Sequence, residues 1–464
     1  MRTNLKSCTF ALMFLGAGAA FFSCSSGDDT HPTVNPPINP VTPTSDEAFS
    51  PSEQKEKLES VALELNDYVQ ASNFNEITSL GRYMRDTYGR RYDWRNVEDW
   101  ARATYETMLT AVGSPQTEIY EGSDWQDRYI TRNYNALVAV SGFKGHFTAR
   151  DGQWVKSDAN DLQFIFTDQQ NRQCTLSLTT SGSTKDLHVT NRTTENWNYY
   201  YDENEEKDIY ESIMTNTNLT VSVPQHIVVT LTQNGGTVVK ASIDIDLNSL
   251  SENEFDIARS SLSAACKIEL NNNYTFNLSQ VAYTPNSNAA VSFTASKGST
   301  TLVSFAVSAT PSGIPSANLS ALIGGEKPSF DNANGKDALV KVDVLGKVQV
   351  QGTLTDVRKF ADYLNQAHRN KSSESTFKSY INQANSCMDI NLFYDNNNVK
   401  QATTKIEAFA ESDYYGTYWK AEPTLNFYDG SSYSTFATFF NGTDFRKVIN
   451  AYSKLIDDFK NLVK

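Results

Sequence analysis

Two aromatic clusters have the residue types best suited to chemistry in this chain. Trp197-Asn198-Tyr199-Tyr200-Tyr201 runs straight into the acidic stretch Asp202-Glu203-Asn204-Glu205-Glu206, and Tyr414-Tyr415-Gly416-Thr417-Tyr418-Trp419 forms the second. Flat rings with polar edges can stack on sugar faces while nearby amides and acids take up hydroxyls. Trp197, Tyr199, Tyr201, Tyr415, Tyr418 and Trp419 are therefore the candidate glycan-contact residues. The competing reading is structural: at 12% aromatic the chain needs such residues for its core, and alternate tyrosines are ordinary on a sheet face. Asp202, Glu203, Glu205 and Asp413 are the acids nearest the rings, and a pair of them could perform glycoside hydrolysis at a suitable separation. With 54 acids in the chain, proximity to aromatics nominates no catalytic residue.

Other reactive side chains are dispersed. His31, His146, His188, His226 and His368 form neither a zinc-protease helix motif nor a close pair. Spacing to Leu364 puts His368 on or beside an apolar helix face, where a satisfied structural histidine is the favoured reading. The Gly-rich phosphate loop, the dinucleotide fingerprint and the serine-hydrolase elbow are all missing from the sequence. Asp331-Asn332-Ala333-Asn334-Gly335-Lys336-Asp337 crowds oxygen ligands around a glycine without the full calcium-loop pattern, so an Asx turn is favoured over calcium. The acidic run 202–206 reads the same way. No cofactor is expected beyond this weak calcium signal. Cys174, Cys266 and Cys387 lie far apart with no metal or redox spacing, which suggests buried inert thiols.

One further cysteine stands in a specific setting. Arg2 and Lys6 lead into a 13-residue apolar run, Phe10–Phe22, which ends in Ser23-Cys24 and then polar residues. The run has the length of a signal h-region and is too short to cross ~30 Å of hydrocarbon. Phe21-Phe22-Ser23-Cys24 resembles the lipobox of bacterial lipoproteins, and Ser25-Ser26-Gly27-Asp28-Asp29 is similar to the tract of surface lipoproteins in Bacteroidota-type bacteria. The resemblance implies removal of residues 1–23, acylation of Cys24, and anchoring in the outer membrane, with display at the cell surface or facing the periplasm both open. It covers only the first thirty or so residues and implies no activity.

Removing 1–23 takes the basic residues from 40 to 38 against 54 acids, a formal charge of −16. That balance disfavours nucleic acid as a partner, which needs a basic face. Residues 24–48 carry five prolines and read as a disordered tether. Ser50-Pro51-Ser52-Glu53 is a capping box that opens an amphipathic helix through Leu58, Val61, Ala62, Leu65 and Val69. Two more helices are expected through Ile77–Tyr88 and Val97–Val112.

Beyond Tyr134 the apolar period changes from 3.6 to 2. Leu162/Phe164/Phe166 return through Cys174/Leu176/Leu178, and Ile227/Val229/Leu231 through Val239/Ala241/Ile243. Val291/Phe293/Ala295 return through Val303/Phe305/Val307 with a phase shift. Further strands carry Ile390–Tyr394 and Leu425–Phe427, the latter followed after a turn by Phe436. Helices are expected from a second capping box, Ser251 with Glu254, through Phe255, Ala258, Leu262 and Ala265. Others run through Val357–Leu364, through Phe377–Ala384, and from Thr443 to Phe459.

The expected class is α+β: an N-terminal helical layer, then repeated antiparallel β-hairpins and sheets backed by amphipathic helices, and a C-terminal helix. The expected regions are 49–123 (helical), 124–345 (β-rich with one helix) and 346–464 (α+β). The expected function is a non-enzymatic, lipid-anchored module that binds a glycan, peptide or partner protein. One alternative is an extracellular glycoside hydrolase. Another is a carrier holding an apolar ligand between sheet and helices.

Overall fold

The computed structural model describes residues 47–80, 119–121, 127–130, 144–150, 153–202, 207–247, 250, 255–317, 329–413 and 416–463. The signal segment, Cys24, all but the last two residues of the tether, most of the second expected helix, all of the third and the Ser251/Glu254 capping box lie outside them. The first strands are β1 (Ile119–Glu121), β2 (Asp127–Ile130), β3 (Gly145–Arg150), β4 (Gln153–Ser157), β5 (Leu162–Thr167), β6 (Gln173–Asp202) and β7 (Lys207–Gln233). β8 (Gly236–Asp246), β9 (Leu262–Leu270), β10 (Tyr274–Thr284), β11 (Asn288–Lys297) and β12 (Thr300–Ser312) follow. The last are β13 (Asn334–Val344), β14 (Val348–Asp356), β15 (Met388–Tyr394), β16 (Ala402–Asp413), β17 (Gly416–Phe427) and β18 (Ser434–Thr435).

All are joined in one sheet. From β5 to β18 each strand pairs antiparallel with the next in chain order. β3 lies parallel to β5 and carries β4 on its other side, while β2, paired with β1, lines the far part of β6. The fold is therefore mixed but sheet-dominated, a single long meander in place of several separate sheets. Position 345, an expected region boundary, falls in the turn between β13 and β14, which pair from Lys336 to Val344.

The hairpins follow their sequence periods. Phe164 faces Leu176, Val229 faces Ala241 and Phe293 faces Phe305, with a register shift after Ala295 where the phase slips. Gly352, in the middle of β14, is required by close packing. A Cβ there would stand 2.3 Å from the Asp389 carbonyl oxygen and 2.4 Å from Ile390 Cα.

Helix α1 (Pro51–Tyr68) starts with both halves of its capping box formed: Ser50 Oγ accepts from Glu53 N, and the Glu53 carboxylate accepts from Ser50 N. Leu58, Val61 and Ala62 pack on Val342, Val344, Val348, Leu392 and Tyr394. The chain then crosses one end of the sheet. The Tyr68 carbonyl accepts from Tyr274 Oη and Lys297 Nζ, Asn73 Nδ2 donates to Tyr274 Oη at 2.8 Å, and Leu80 reaches Phe166, Cys174 and Val238. Residues 49–80 thus form a strap under every second turn of the meander.

Helix α2 (Val357–Arg369) and helix α3 (Glu374–Asn385) cover part of β16 and β17. The short α4 (Phe436–Phe439) and α5 (Arg446–Val463) return to α1, with Tyr452 Oη donating to the Ala62 carbonyl at 3.0 Å.

Several expectations are corrected. Leu262 and Ala265 belong to strand β9, not to a helix. The Asp256 carboxylate, accepting from the backbone of Ala258 and Ala317 and from Ser316 and Arg259, closes a turn there instead. The returning strand is only the two-residue β18, and Phe436 itself opens α4 behind a Thr435 cap. The turn leading into α5 is held by Asn441, whose Oδ1 accepts from Thr443 N and Asp444 N. His368 is exposed in the last turn of α2 and not on its apolar face.

Asp356 caps α2. Its carboxylate accepts from Lys359 N at 2.9 Å, which together with Asn334 Nδ2 and nearby lysines holds its pKa below the ordinary range against the opposing effect of desolvation. A depressed folded pKa means its stabilisation is complete above the unfolded value near 4 and is lost as pH falls through the folded value. Asp356→Ala is expected to cost about 1 kcal/mol at pH 7. Urea titrations should show this gap narrowing towards zero at strongly acid pH.

Candidate functional site

The register builds one face of the meander almost wholly from apolar residues. Ile243, Cys266, Leu278, Phe293 and Phe305 stand directly opposite one another across β8 to β12. The row continues at one end into Val342 and Leu392 and at the other into Ile227. Alternation puts serine, threonine, lysine and asparagine on the opposite face, as in Ser242, Lys267, Asn277, Thr294 and Ser304.

Burial along the row is uneven. Val342 (5% exposed), Leu392 (6%) and Ile227 (5%) are buried, whereas the five residues between Ile243 and Phe305 are only half-buried. Phe293 is half-buried just as its polar-face neighbour Thr294 is. α1 and α5 cover the β13–β17 end and α2 with α3 the far part of β16 and β17. The adjacent row, Ala264, Val281, Val291, Val307 and Val340, has smaller side chains, and all but Ala264 are also half-buried. Incompletely covered, contiguous apolar surface is the kind of surface through which a protein can take up an apolar ligand or partner. It carries no charge, and burial of apolar area is the interaction its side chains can offer.

The polar residues bordering it are structural. Tyr283 Oη donates to the Ile257 carbonyl at 2.7 Å, and burial, with the Asp256 charge adding, pushes its phenol pKa up. Cys174, 0% exposed, has its thiol pKa raised mainly by burial, as an inert core thiol should, and Cys387 is also buried. Cys266, a reduced thiol like the other two, lies in the half-buried row.

The aromatic candidates fall in two places. Trp197, Tyr199 and Tyr201 occupy alternate positions of β6, opposite Ser212, Tyr210 and Asp208 of β7. They lie where the β6–β7 hairpin runs on beyond the stretch of β7 paired with β8. Tyr418 and Trp419 are on β17, with β7 to β16 intervening in the sheet. Tyr415, Glu203 and Glu205 lie outside the described residues. Trp419 packs with Phe377, Ile381 and Ala367, under Lys378 Nζ at 4.5 Å from its ring centre, and Lys371 Nζ lies 5.3 Å from that of Tyr418. Trp419→Ala is expected to lower stability by about 2 kcal/mol through lost packing, readable in thermal unfolding. Asp202 ends β6 opposite Lys207, and Asp413 ends β16 opposite Gly416.

In the 331–337 stretch, Asn334 Oδ1 accepts from Arg358 N and Nδ2 donates to Asp356, tying β13 to α2. Among the described residues no three His, Cys, Asp or Glu side chains gather as a metal site, and no helix is long and apolar enough to cross a membrane.

Sequence reading missed the β9–β10 hairpin, which supplies Cys266 and Leu278. The signal was there: Tyr274, Phe276 and Leu278 alternate directly after the Asn271-Asn272-Asn273 turn. No protein-family model matches the chain, and neither does any curated protein or solved structure.

Proposed function

We propose that this is a lipid-anchored protein of the outer cell envelope, acylated at Cys24, that binds an apolar ligand against the half-open face of β8 to β12. The observation that carries the reading is the in-register row Ile243–Cys266–Leu278–Phe293–Phe305, half-buried between buried ends. Burying apolar area there stabilises a complex by about 25 cal/mol per Å², without any charged partner. The anchor rests on the Phe10–Phe22 run and on Ser23-Cys24. The fold has a firm point of attachment for the tether: Gln401 accepts from Phe49 N at 2.8 Å and donates to the Glu47 carbonyl at 3.1 Å.

Two experiments test this. Cys24→Ser is expected to move the protein from the membrane fraction to the soluble fraction, and retention on membranes would refute the anchor. The same full-length, unacylated chain is expected to bind Nile red with a blue-shifted emission that competing long-chain lipid removes. An unshifted emission would refute the apolar site.

A further inference from the structure

A separate constellation lies on the other face of the sheet. Ser181 on β6, His226 on β7 and Asp244 on β8 stand in one cross-strand row, Ser181 paired with His226 and His226 with Asp244. His226 Nδ1 is in contact with Asp244 Oδ1, which leaves Nε2 as the ring nitrogen available to Ser181. Directly opposed residues have Cβ atoms about 5 Å apart, so a turn of the serine χ1 brings Oγ towards the ring. Ser181 is exposed, and its hydroxyl has no hydrogen-bond partner among the described residues.

The backbone beside the serine is irregular in a useful way. Between Ser181 and Thr184 the register shifts, with two residues of β6 facing the single Gln225 of β7. Gly182 there takes φ +80°, with open space where a Cβ would stand. A bulge of this kind frees an N–H from the ladder, so the Gly182–Ser183 segment offers a backbone donor next to the nucleophile. The chain offers an internal contrast at His146. That histidine also meets an aspartate, Asp161, and pairs with a serine, Ser157, but the Ser157 hydroxyl donates to the His146 carbonyl.

We infer that Ser181, His226 and Asp244 form a nucleophilic site that hydrolyses a carboxylic ester presented from solvent. Ser181 Oγ attacks the ester carbonyl carbon while its proton passes to His226 Nε2, and the freed bulge amide receives the oxyanion. Collapse breaks the bond to the leaving alkoxide, which takes the proton from His226. Water, deprotonated by His226, then attacks the acyl-serine, releasing the carboxylic acid and returning the proton to Ser181. Asp244 is a positioning residue that holds the imidazole by Nδ1. The inference goes beyond the proposed apolar-ligand function and is independent of it, since Ile227 and Ile243 face the other way.

The test treats the full-length protein with a fluorophosphonate and maps the adduct by peptide mass spectrometry, alongside hydrolysis of p-nitrophenyl acetate. The adduct is expected on Ser181. Ser181→Ala should lower the hydrolysis rate at least a hundredfold, whereas Ser157→Ala should leave it unchanged. Asp244→Asn should lower kcat with KM preserved. An unmodified Ser181, or wild-type hydrolysis by Ser181→Ala, would overturn the assignment.

Discussion

Gly352→Ala is expected to destabilise the fold by about 3 kcal/mol or more, at or above the upper end of what overpacking costs. The added carbon would stand 2.3 Å from the Asp389 carbonyl oxygen and 2.4 Å from Ile390 Cα. Both are backbone atoms of the adjacent strand, so no side-chain rotation relieves the overlap. β14 is held on its other side by β13, with Val340 opposite Gly352, so β14 and β15 can separate only by giving up ladder hydrogen bonds. The effect should spread into the cluster of Val342, Val348 and Leu392, which seats α1 on the sheet. A urea titration would show the midpoint falling with little change in slope. A midpoint within experimental error of the wild type would mean that the two strands are further apart than described.

Phe293→Lys and Val342→Lys, two strands apart in the same apolar row, are expected to behave in opposite ways. Val342 is 5% exposed beneath α1, and a lysine there would bury an unpaired charge and cost several kcal/mol. Phe293 is half-buried, so its lysine can extend the ammonium into water along a stem still lying on the sheet. We expect Phe293→Lys to fold with a stability loss of about 1–2 kcal/mol and to lose at least tenfold in affinity for Nile red. Circular dichroism and probe titration on the same sample separate the two effects. Unchanged probe affinity in Phe293→Lys would place the bound probe elsewhere.

The hairpins were legible because alternation and turn chemistry are local. Leu162–Phe166 with Cys174–Leu178 and Ile227–Leu231 with Val239–Ile243 show their register in the sequence, and the Asn234-Gly235 turn, with both residues at positive φ, explains the second. The Ser50 capping box was legible for the same reason. Residues 255–270 were misread because Leu262 and Ala265 fit a helical period as well as a strand, and a short apolar run cannot decide between them. The Asp256 turn that settles it depends on Ser316 and Ala317, sixty residues away. That the strap 49–80 runs along one end of the sheet from β15 to β5 is likewise a tertiary fact.

The candidate site was less visible than the strands that make it. Each apolar residue of the row could be seen as facing a core. Which of them end up under α1 and α5 and which stay half-open depends on where helices from both chain termini settle. The Ser181–His226–Asp244 row was hidden for a related reason: only the register of three strands joins residues so far apart in sequence.

The central claim is that the β8–β12 part of the apolar face is open to a ligand, and Cys266 tests it from within. Alkylation of the native protein by an apolar maleimide, followed by peptide mapping, should modify Cys266 well before the buried Cys174 and Cys387. Saturating long-chain lipid should then protect it. Modification of Cys266 no faster than that of Cys174, with or without lipid, would show the face to be closed and contradict the account.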